Sequence, residues 1–299
     1  MLSNKETPVT GKRLEDKVAI ITGGGGGIGS AAGRIFCAEG AKVALVDRDP
    51  DVVKAAADSI RRQVAGAQVA ALVADVGEES AAEAVVDEVL RTFGGIDVLV
   101  NNVGIRRYEA VADAPWQAWD DILRINLLSF VSMARAALPA LRRSGRGSII
   151  NVSSTGAVYG RKGMGAYDAS KAAVLALTRT MAFEEGEHGI RVNTICPGYT
   201  RTPFHENRMG NAAVDALVPP CVLQRWGTPD ELAYPMLWLA SDEASYVTAA
   251  TFMIDGGFPA ESGGSRWPRP RRSRAGVRAN RPVDPQLDRA GRQERWPTG

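Results

Sequence analysis

The chain of 299 residues is 45% hydrophobic and 23% charged, the balance of a globular protein long enough for one large core or two small ones. Its net charge of +2 is unevenly spread: residues 265–299 hold ten arginines against three acids, which leaves a slightly acidic body. Three cysteines without CxxC pairing and only two histidines exclude a disulfide scaffold and a Cys/His metal centre; with no secretory apolar segment and no stretch that reads as membrane-spanning, a cytoplasmic, metal-free protein is expected.

In chain order, KVAIIT from Lys17 reads as a buried strand that runs into a string of glycines, Gly23 to Gly27, and a helical pattern over 28–39. AKVALVD from Ala41 is the second strand and 51–64 the second helix; QVAALVAD from Gln68 and 78–93 follow. DVLVNN from Asp97 leads to a long helix over 116–143, GSIINVSS from Gly147 to a helix over 164–187, and IRVNTICP from Ile190 to a long irregular connection over 202–225. A helix over 229–240 and the run ATFMIDGG from Ala250 close the pattern. The first six runs are apolar almost throughout, which predicts strands buried on both faces and hence a parallel sheet. Strand–helix alternation with right-handed crossovers makes this a single-domain, doubly wound α/β fold of the Rossmann type, helices on both faces. The expected organisation is a flexible leader over 1–12, the domain over 13–260 and an Arg/Pro-rich disordered tail over 261–299.

The glycines stand where a strand turns into a helix. There the backbone can approach a diphosphate closely, and the helix N-terminus offers free N–H groups and a positive dipole end. Asp47, ~20 residues further on at the end of the second strand, is placed to accept hydrogen bonds from adenosine ribose hydroxyls and to repel a 2′-phosphate. This predicts NAD rather than NADP, although Arg48 is adjacent. Tyr167 and Lys171 are spaced i, i+4 on one helix face, after a strand ending Asn151-Val152-Ser153-Ser154. A phenol is a poor base at neutral pH, and a neighbouring ammonium favours the phenolate.

Together these residues resemble the short-chain dehydrogenase/reductase family over roughly residues 11–257. The resemblance implies a catalytic set of Asn126, Ser154, Tyr167 and Lys171. It also implies cofactor contacts from Gly23, Gly27, Ile28 and Gly29, from Asp75 and Val76 at the adenine ring, and from the Asn101-Asn102-Val103-Gly104 element through Asn102 and Gly104. Pro197, Gly198 and Thr202 would hold the nicotinamide carboxamide, and Tyr167 and Lys171 would also touch the cofactor. Asp255-Gly256-Gly257 matches the family's closing strand; Val103 stands where the family usually has alanine. In the implied roles Tyr167 exchanges the alcohol proton, Lys171 lowers its pKa and bonds the nicotinamide ribose, Ser154 steadies the substrate oxygen, and Asn126 positions a water. A homotetramer or homodimer, formed through the two long helices and the last strand, is implied in the same way.

Substrate contacts are expected from Arg106, Tyr159, Tyr199, His205 and Arg208. Arg106 or Arg208 would hold a carboxylate or another polar group, the alternative being that both are solvated loop arginines. His188 and His205 otherwise read as loop-surface residues. The tail offers phosphate contacts for nucleic acid, but its only aromatics are Trp267 and Trp296. It is read instead as a non-functional extension, so neither nucleic acid nor a membrane is an expected partner. The expected activity is NAD-dependent oxidation of a secondary alcohol (sugar, cyclic or hydroxy-acid type) to a ketone. The alternatives are a 3-oxoacyl-thioester reductase using NADPH and a dinucleotide-sensing protein without chemistry.

Overall fold

A computed structural model describes residues 12–258; the expected tail and all but the last residue of the expected leader lie outside them. Seven strands form one sheet in the order β3-β2-β1-β4-β5-β6-β7, with every neighbouring pair parallel. The strands are β1 (Val18–Thr22), β2 (Lys42–Asp47), β3 (Gln68–Val73), β4 (Val98–Asn101), β5 (Ser148–Val152), β6 (Arg191–Pro197) and β7 (Thr251–Ile254). The order turns back at β1, so the loops leaving β1 and β4 part and open a crevice at their carboxyl ends, where such sheets bind ligands.

Two apolar cores follow from strand alternation. Ala19 and Ile21 of β1 with Val43 and Leu45 of β2 face one core, covered by α1 (Gly27–Ala38), α2 (Pro50–Gln63) and α9 (Pro229–Ala240). Val18, Ile20, Ala44 and Val46 face the other, covered by α3 (Ala81–Phe93), α5 (Ser129–Ser144) and α6 (Gly165–Glu185). Successive side chains of a strand point to opposite faces, so a strand apolar at every position requires both layers.

Three expectations need correction. β3 is not buried on both faces: Gln68 and Val73 are exposed and only Val69 is fully buried, because β3 is an edge strand and its outer flank lacks a neighbour. The helix expected over 116–143 is α4 (Trp116–Leu123), a π turn over Arg124–Leu128, and α5. The π turn carries Asn126 into the site. The connection over 202–225 is not irregular throughout, since it contains α7 (Pro203–Met209) and α8 (Asn211–Ala216). The stretch Trp116–Ser144 is long and apolar enough to cross a membrane by length and composition. Its buried residues, Phe130, Met133, Ala137 and Leu141 among them, are part of the domain interior.

Candidate active site

The glycine string forms a cradle fixed from below by Asn102. Its Nδ2 donates to the carbonyls of Thr22 (3.0 Å) and Gly23 (3.1 Å), and its backbone N–H donates to Thr22 Oγ1 at 3.0 Å. This ties the ends of β1 and β4 together across the crevice. A Cβ on Gly29 would fall 2.2 Å from the Gly23 carbonyl oxygen, so the helix can start this close to the strand only if residue 29 lacks a side chain. Gly23 has φ +62°, a conformation that favours glycine. Gly26 precedes α1 with no side-chain cap, and a Cβ built on it meets nothing within 4 Å. The free N–H groups of the first turn therefore face an open space suited to an anion.

Beside the cradle lies a cavity of about 260 Å³ lined by Gly23, Asp47, Arg48, Asp75, Val76, Asn102, Val103 and Gly104, among others. Asp47 Oδ2 accepts from the Gly25 N–H at 3.1 Å, which holds the carboxylate at the cavity wall. Asp75 Oδ1 accepts from the Gly77 N–H at 2.9 Å. Arg48 is exposed at the rim. These residues fit a dinucleotide: a close-approach glycine turn, an uncapped helix start, and a carboxylate at the end of the next strand that lines the cavity.

A second cavity, about 100 Å³, is lined by Ile28, Asn102, Gly104, Arg106, Ser154, Tyr167, Lys171, Pro197, Gly198, Thr202 and His205, among others. It gathers most of the residues expected to react or to hold the cofactor's far end. Ser154, Tyr167 and Lys171 are buried, and Asn126 is wholly enclosed. Ser154 stands just past β5, and its Oγ accepts from the Gly156 N–H at 3.1 Å, while its O–H donates to the Tyr167 oxygen. Lys171 Nζ donates to the Val152 carbonyl at 2.9 Å. The Asn126 side chain is engaged with its neighbours: Oδ1 accepts from Ile105 N–H (2.8 Å), and Nδ2 donates to the Ile105 carbonyl (3.0 Å) and Ser170 Oγ (3.2 Å).

Burial alone would push the Tyr167 phenol up. Arg106, Lys171, a hydrogen bond from Ser154 and Arg161 together outweigh it and hold the pKa below the ordinary phenol value. The guanidinium carbons of Arg106 and Arg161 lie 5.2 and 5.3 Å from the Tyr167 ring centroid. Burial lowers the Lys171 pKa, with Arg106 adding to the effect and Tyr167 opposing it.

Arg161 and its partner Asp168 carry no motif in the sequence, and reading the sequence missed them. They form a forked ion pair in which the Arg161 N–H also donates to Asp168 Oδ2 at 3.1 Å. The bend at Gly156 seats them closely: a Cβ there would fall against Arg161 Nη2 and Asp168 Oδ1.

A third cavity, about 180 Å³, opens beyond Ser154 and is lined by Arg106, Tyr108, Arg161, Met164, Tyr199, His205, Met209, Leu217, Trp226 and Phe258, among others. Of the expected substrate contacts, Arg106, Tyr199 and His205 line it. Tyr159 stands behind, edge-on to Phe258 with centroids 6.0 Å apart. Arg208 is exposed and packs over the Tyr108 ring at 3.9 Å. His205 is half-buried rather than on the outer surface. Burial, then the charge of Arg106, lower its pKa to about 4 against a hydrogen bond at Thr200, so it is neutral at pH 7. Arg106 Nη1 lies 3.3 Å from Nε2 and Thr202 Oγ1 3.0 Å from Nδ1. A guanidinium can only donate, so Nε2 accepts and Nδ1–H donates to Thr202.

A parallel sheet reversed at β1, a glycine cradle at the reversal and a buried Tyr–Lys couple facing it define a dinucleotide-linked oxidoreductase. The family model described as Enoyl-(Acyl carrier protein) reductase matches residues 24–259. The chain is 39% identical over 249 residues to a 3-oxoacyl-acyl-carrier-protein reductase of Thermotoga maritima, covering 82% of this chain and 98% of that protein. It is 36% identical to a cyclopentanol dehydrogenase of Comamonas testosteroni, covering 83% and 99%. The crystal structure of a levodione reductase superposes with a TM-score of 0.80 at 35% identity, covering 83% of this chain and all of that one. The chain belongs to the short-chain dehydrogenase/reductase family and is an oxidoreductase of that family using a nicotinamide cofactor.

Proposed function

We propose that this protein is an NAD-linked dehydrogenase that interconverts a secondary alcohol and its ketone, with Tyr167 as the proton-transfer group. The observation that carries the reading is the pairing of a buried Tyr167, held in a field of cations that favours its phenolate, with Ser154, whose hydroxyl hydrogen-bonds to it across the same cavity. The bound dinucleotide supplies the hydride acceptor or donor. The chain's own residues do the rest. Tyr167 takes the hydroxyl proton during oxidation and returns it during reduction. Ser154 donates to the substrate oxygen and stabilises charge developing there. Lys171 favours the phenolate by its charge and lines the same cavity. Asn126, through its three hydrogen bonds, fixes the Ile105 backbone and α6 relative to each other, a positioning role.

Asp47 supports NAD, because a carboxylate at the cavity wall accepts from ribose hydroxyls and repels a 2′-phosphate. NADH binding at least tenfold tighter than NADPH, followed by nicotinamide fluorescence and equivalent to ~1.4 kcal/mol, is the expected result; Asp47→Ala should lose most of that ratio. Equal affinities, or a ratio indifferent to Asp47→Ala, would overturn the assignment. The second reading, an NADPH-dependent 3-oxoacyl-thioester reductase, draws on exposed Arg48 at the cavity rim and on the name of the Thermotoga maritima relative. Tighter NADPH binding lost in Arg48→Ala would favour it.

The same resemblance supports a homotetramer or homodimer, with exposed Trp116 and Leu128 on the α4–α5 stretch and Phe183 on α6 as apolar groups suited to burial between copies.

A further inference from the structure

We infer that the substrate is a small hydroxy acid, with its carboxylate held by Arg106 close to the carbinol carbon and an apolar body lying toward Trp226 and Phe258. The inference rests on the dehydrogenase reading above and names its substrate class.

Arg106 borders both the cavity that holds Tyr167 and the cavity beyond Ser154. It is the one feature common to the reacting end and the substrate end that carries a full charge with no carboxylate opposite. Its polar partners are the neutral His205 Nε2 at 3.3 Å and the Tyr167 and Tyr108 hydroxyls, and it also lies against the rings of Tyr167 at 5.2 Å and Phe204 at 5.1 Å. Of the other arginines near the site, Arg161 is paired with Asp168 and Arg107 with Asp121 at 2.9 Å, while Arg208 is exposed to solvent and lines neither cavity. No Asp or Glu lines either cavity among the described residues. A half-buried guanidinium without an anion is costly to keep, and its planar fork is matched to a carboxylate.

Beyond a polar end formed by Ser154, Thr155, Arg161 and His205, the far cavity is apolar and aromatic. Tyr199 packs edge-on to Trp226 and Phe258 at 5.5 and 5.7 Å, and Met164, Met209 and Leu217 complete the wall. At about 180 Å³ it is smaller than the ~300–1,000 Å³ of drug-sized sites, which limits the body to a short chain or one ring. Because Arg106 sits against the Tyr167 ring itself, the carboxylate must lie on the carbon next to the carbinol or the one beyond.

The test compares matched probes in the full chain with NAD: 3-hydroxybutyrate and 3-hydroxy-3-phenylpropanoate against their methyl esters. Wild type is expected to favour the acids in kcat/KM by about tenfold to a hundredfold, the range a charge-assisted contact supports. Arg106→Gln also changes the field at Tyr167, so both rates fall; the acid-to-ester ratio cancels that effect and should drop to near one, with Arg106→Lys intermediate. A ratio unchanged by Arg106→Gln, or a wild type that prefers the esters, overturns the inference. So does a rise of the NADH dissociation constant in Arg106→Gln that accounts for the whole loss, because Arg106 would then serve the cofactor.

A second readout needs no turnover. 3-Phenylpropanoate and its methyl ester are titrated against the NADH-loaded protein by fluorescence. Acid binding at least tenfold tighter, lost in Arg106→Gln, supports the inference even if no probe is oxidised, in which case the proposed reaction alone is at fault; equal affinity for acid and ester sinks it.

Discussion

Replacing Gly156 with alanine asks whether the bend after β5 is kept small to seat the Arg161–Asp168 pair beside Tyr167. The new Cβ would lie 2.0 Å from Arg161 Nη2 and 2.1 Å from Asp168 Oδ1, far inside contact distance. Both are the ends of side chains that can swing, and Gly156 has no positive φ, so the backbone keeps its course and the ion pair opens instead. Arg161 is 26% and Asp168 12% exposed. The pair therefore lies between a surface bridge worth ~0.2–1 kcal/mol and a fully buried one whose rupture costs ~3–5 kcal/mol. Charge-assisted hydrogen bonds worth ~1.5–3 kcal/mol mark the middle, and Gly156→Ala is expected to cost about 1–3 kcal/mol. In a domain of this size that lowers the midpoint of thermal unfolding by about 2–12 °C. The assay is calorimetry on Gly156→Ala, Arg161→Ala and the double variant. With the guanidinium gone, Asp168 can turn aside, so the second substitution should add less than about 0.5 kcal/mol to the first. Fully additive losses would refute the reasoning, because groups that share one contact do not add.

The site yields three more predictions. Tyr167→Phe should lower kcat by ~10²–10⁴ and leave the NADH dissociation constant within about threefold; retention of more than a tenth of kcat would remove Tyr167 from proton transfer. Oxidation needs the phenolate, so kcat/KM for a neutral alcohol should rise with pH through a midpoint below the usual phenol value. Arg106→Gln, by removing the foremost of the favouring charges, should move that midpoint upward, and a midpoint that stays put would contradict the field ascribed to Arg106. His205 has a folded pKa of about 4 against an ordinary 6.5, so the unfolded chain takes up the proton first. Stability is therefore whole above pH 6.5 and declines as pH falls from there through 4; His205→Gln should flatten that stretch of the melting-temperature profile, and an unaltered slope would count against the burial of this ring.

The parallel core was legible because its signal is local. Runs such as Ala19–Ile20–Ile21 and Val43–Ala44–Leu45–Val46 are apolar at every position, and a strand of that kind has only one environment open to it. The cradle was legible because glycine cannot be exchanged where a Cβ would strike a carbonyl, as at Gly29. What stayed hidden depends on neighbours distant in sequence. The exposure of β3 comes from its place at the sheet edge, which its composition does not announce. The π turn at Arg124–Leu128 keeps the apolar pattern of a continuous helix, so nothing in the periodicity marks the break. The short helices α7 and α8 fall below the length at which periodicity speaks, though Pro203 at the start of α7 is a readable signal in hindsight. Arg106 was visible as a candidate but was balanced by the reading of a solvated loop residue; only its packing against Tyr167 and Phe204 separates the two. Residues 161 and 168 belong to a loop and the helix after it, with no spacing that singles them out.

The charges around Tyr167 bind these observations into one argument. Arg161, paired with Asp168, contributes least, which leaves Arg106 and Lys171 as the foremost cations facing a single titratable phenol. With the phenol protonated the pocket holds two uncompensated cations; with the phenolate, one. Low local dielectric makes each of these states costly, and that cost is the force that draws the proton off Tyr167 with no carboxylate among the described residues lining the cavity. An arriving carboxylate would answer the second cation, so substrate and phenolate divide the field between Arg106 and Lys171. A neutral alcohol leaves Arg106 to act on Tyr167 alone and keeps more of it as phenolate at a given pH. A hydroxy acid takes Arg106 for itself, gains affinity and leaves Lys171 as the principal cation at the phenol. Substrate binding and phenolate population at this site therefore trade against each other through one arginine, and that is why its removal should lower both while altering the acid-to-ester ratio most.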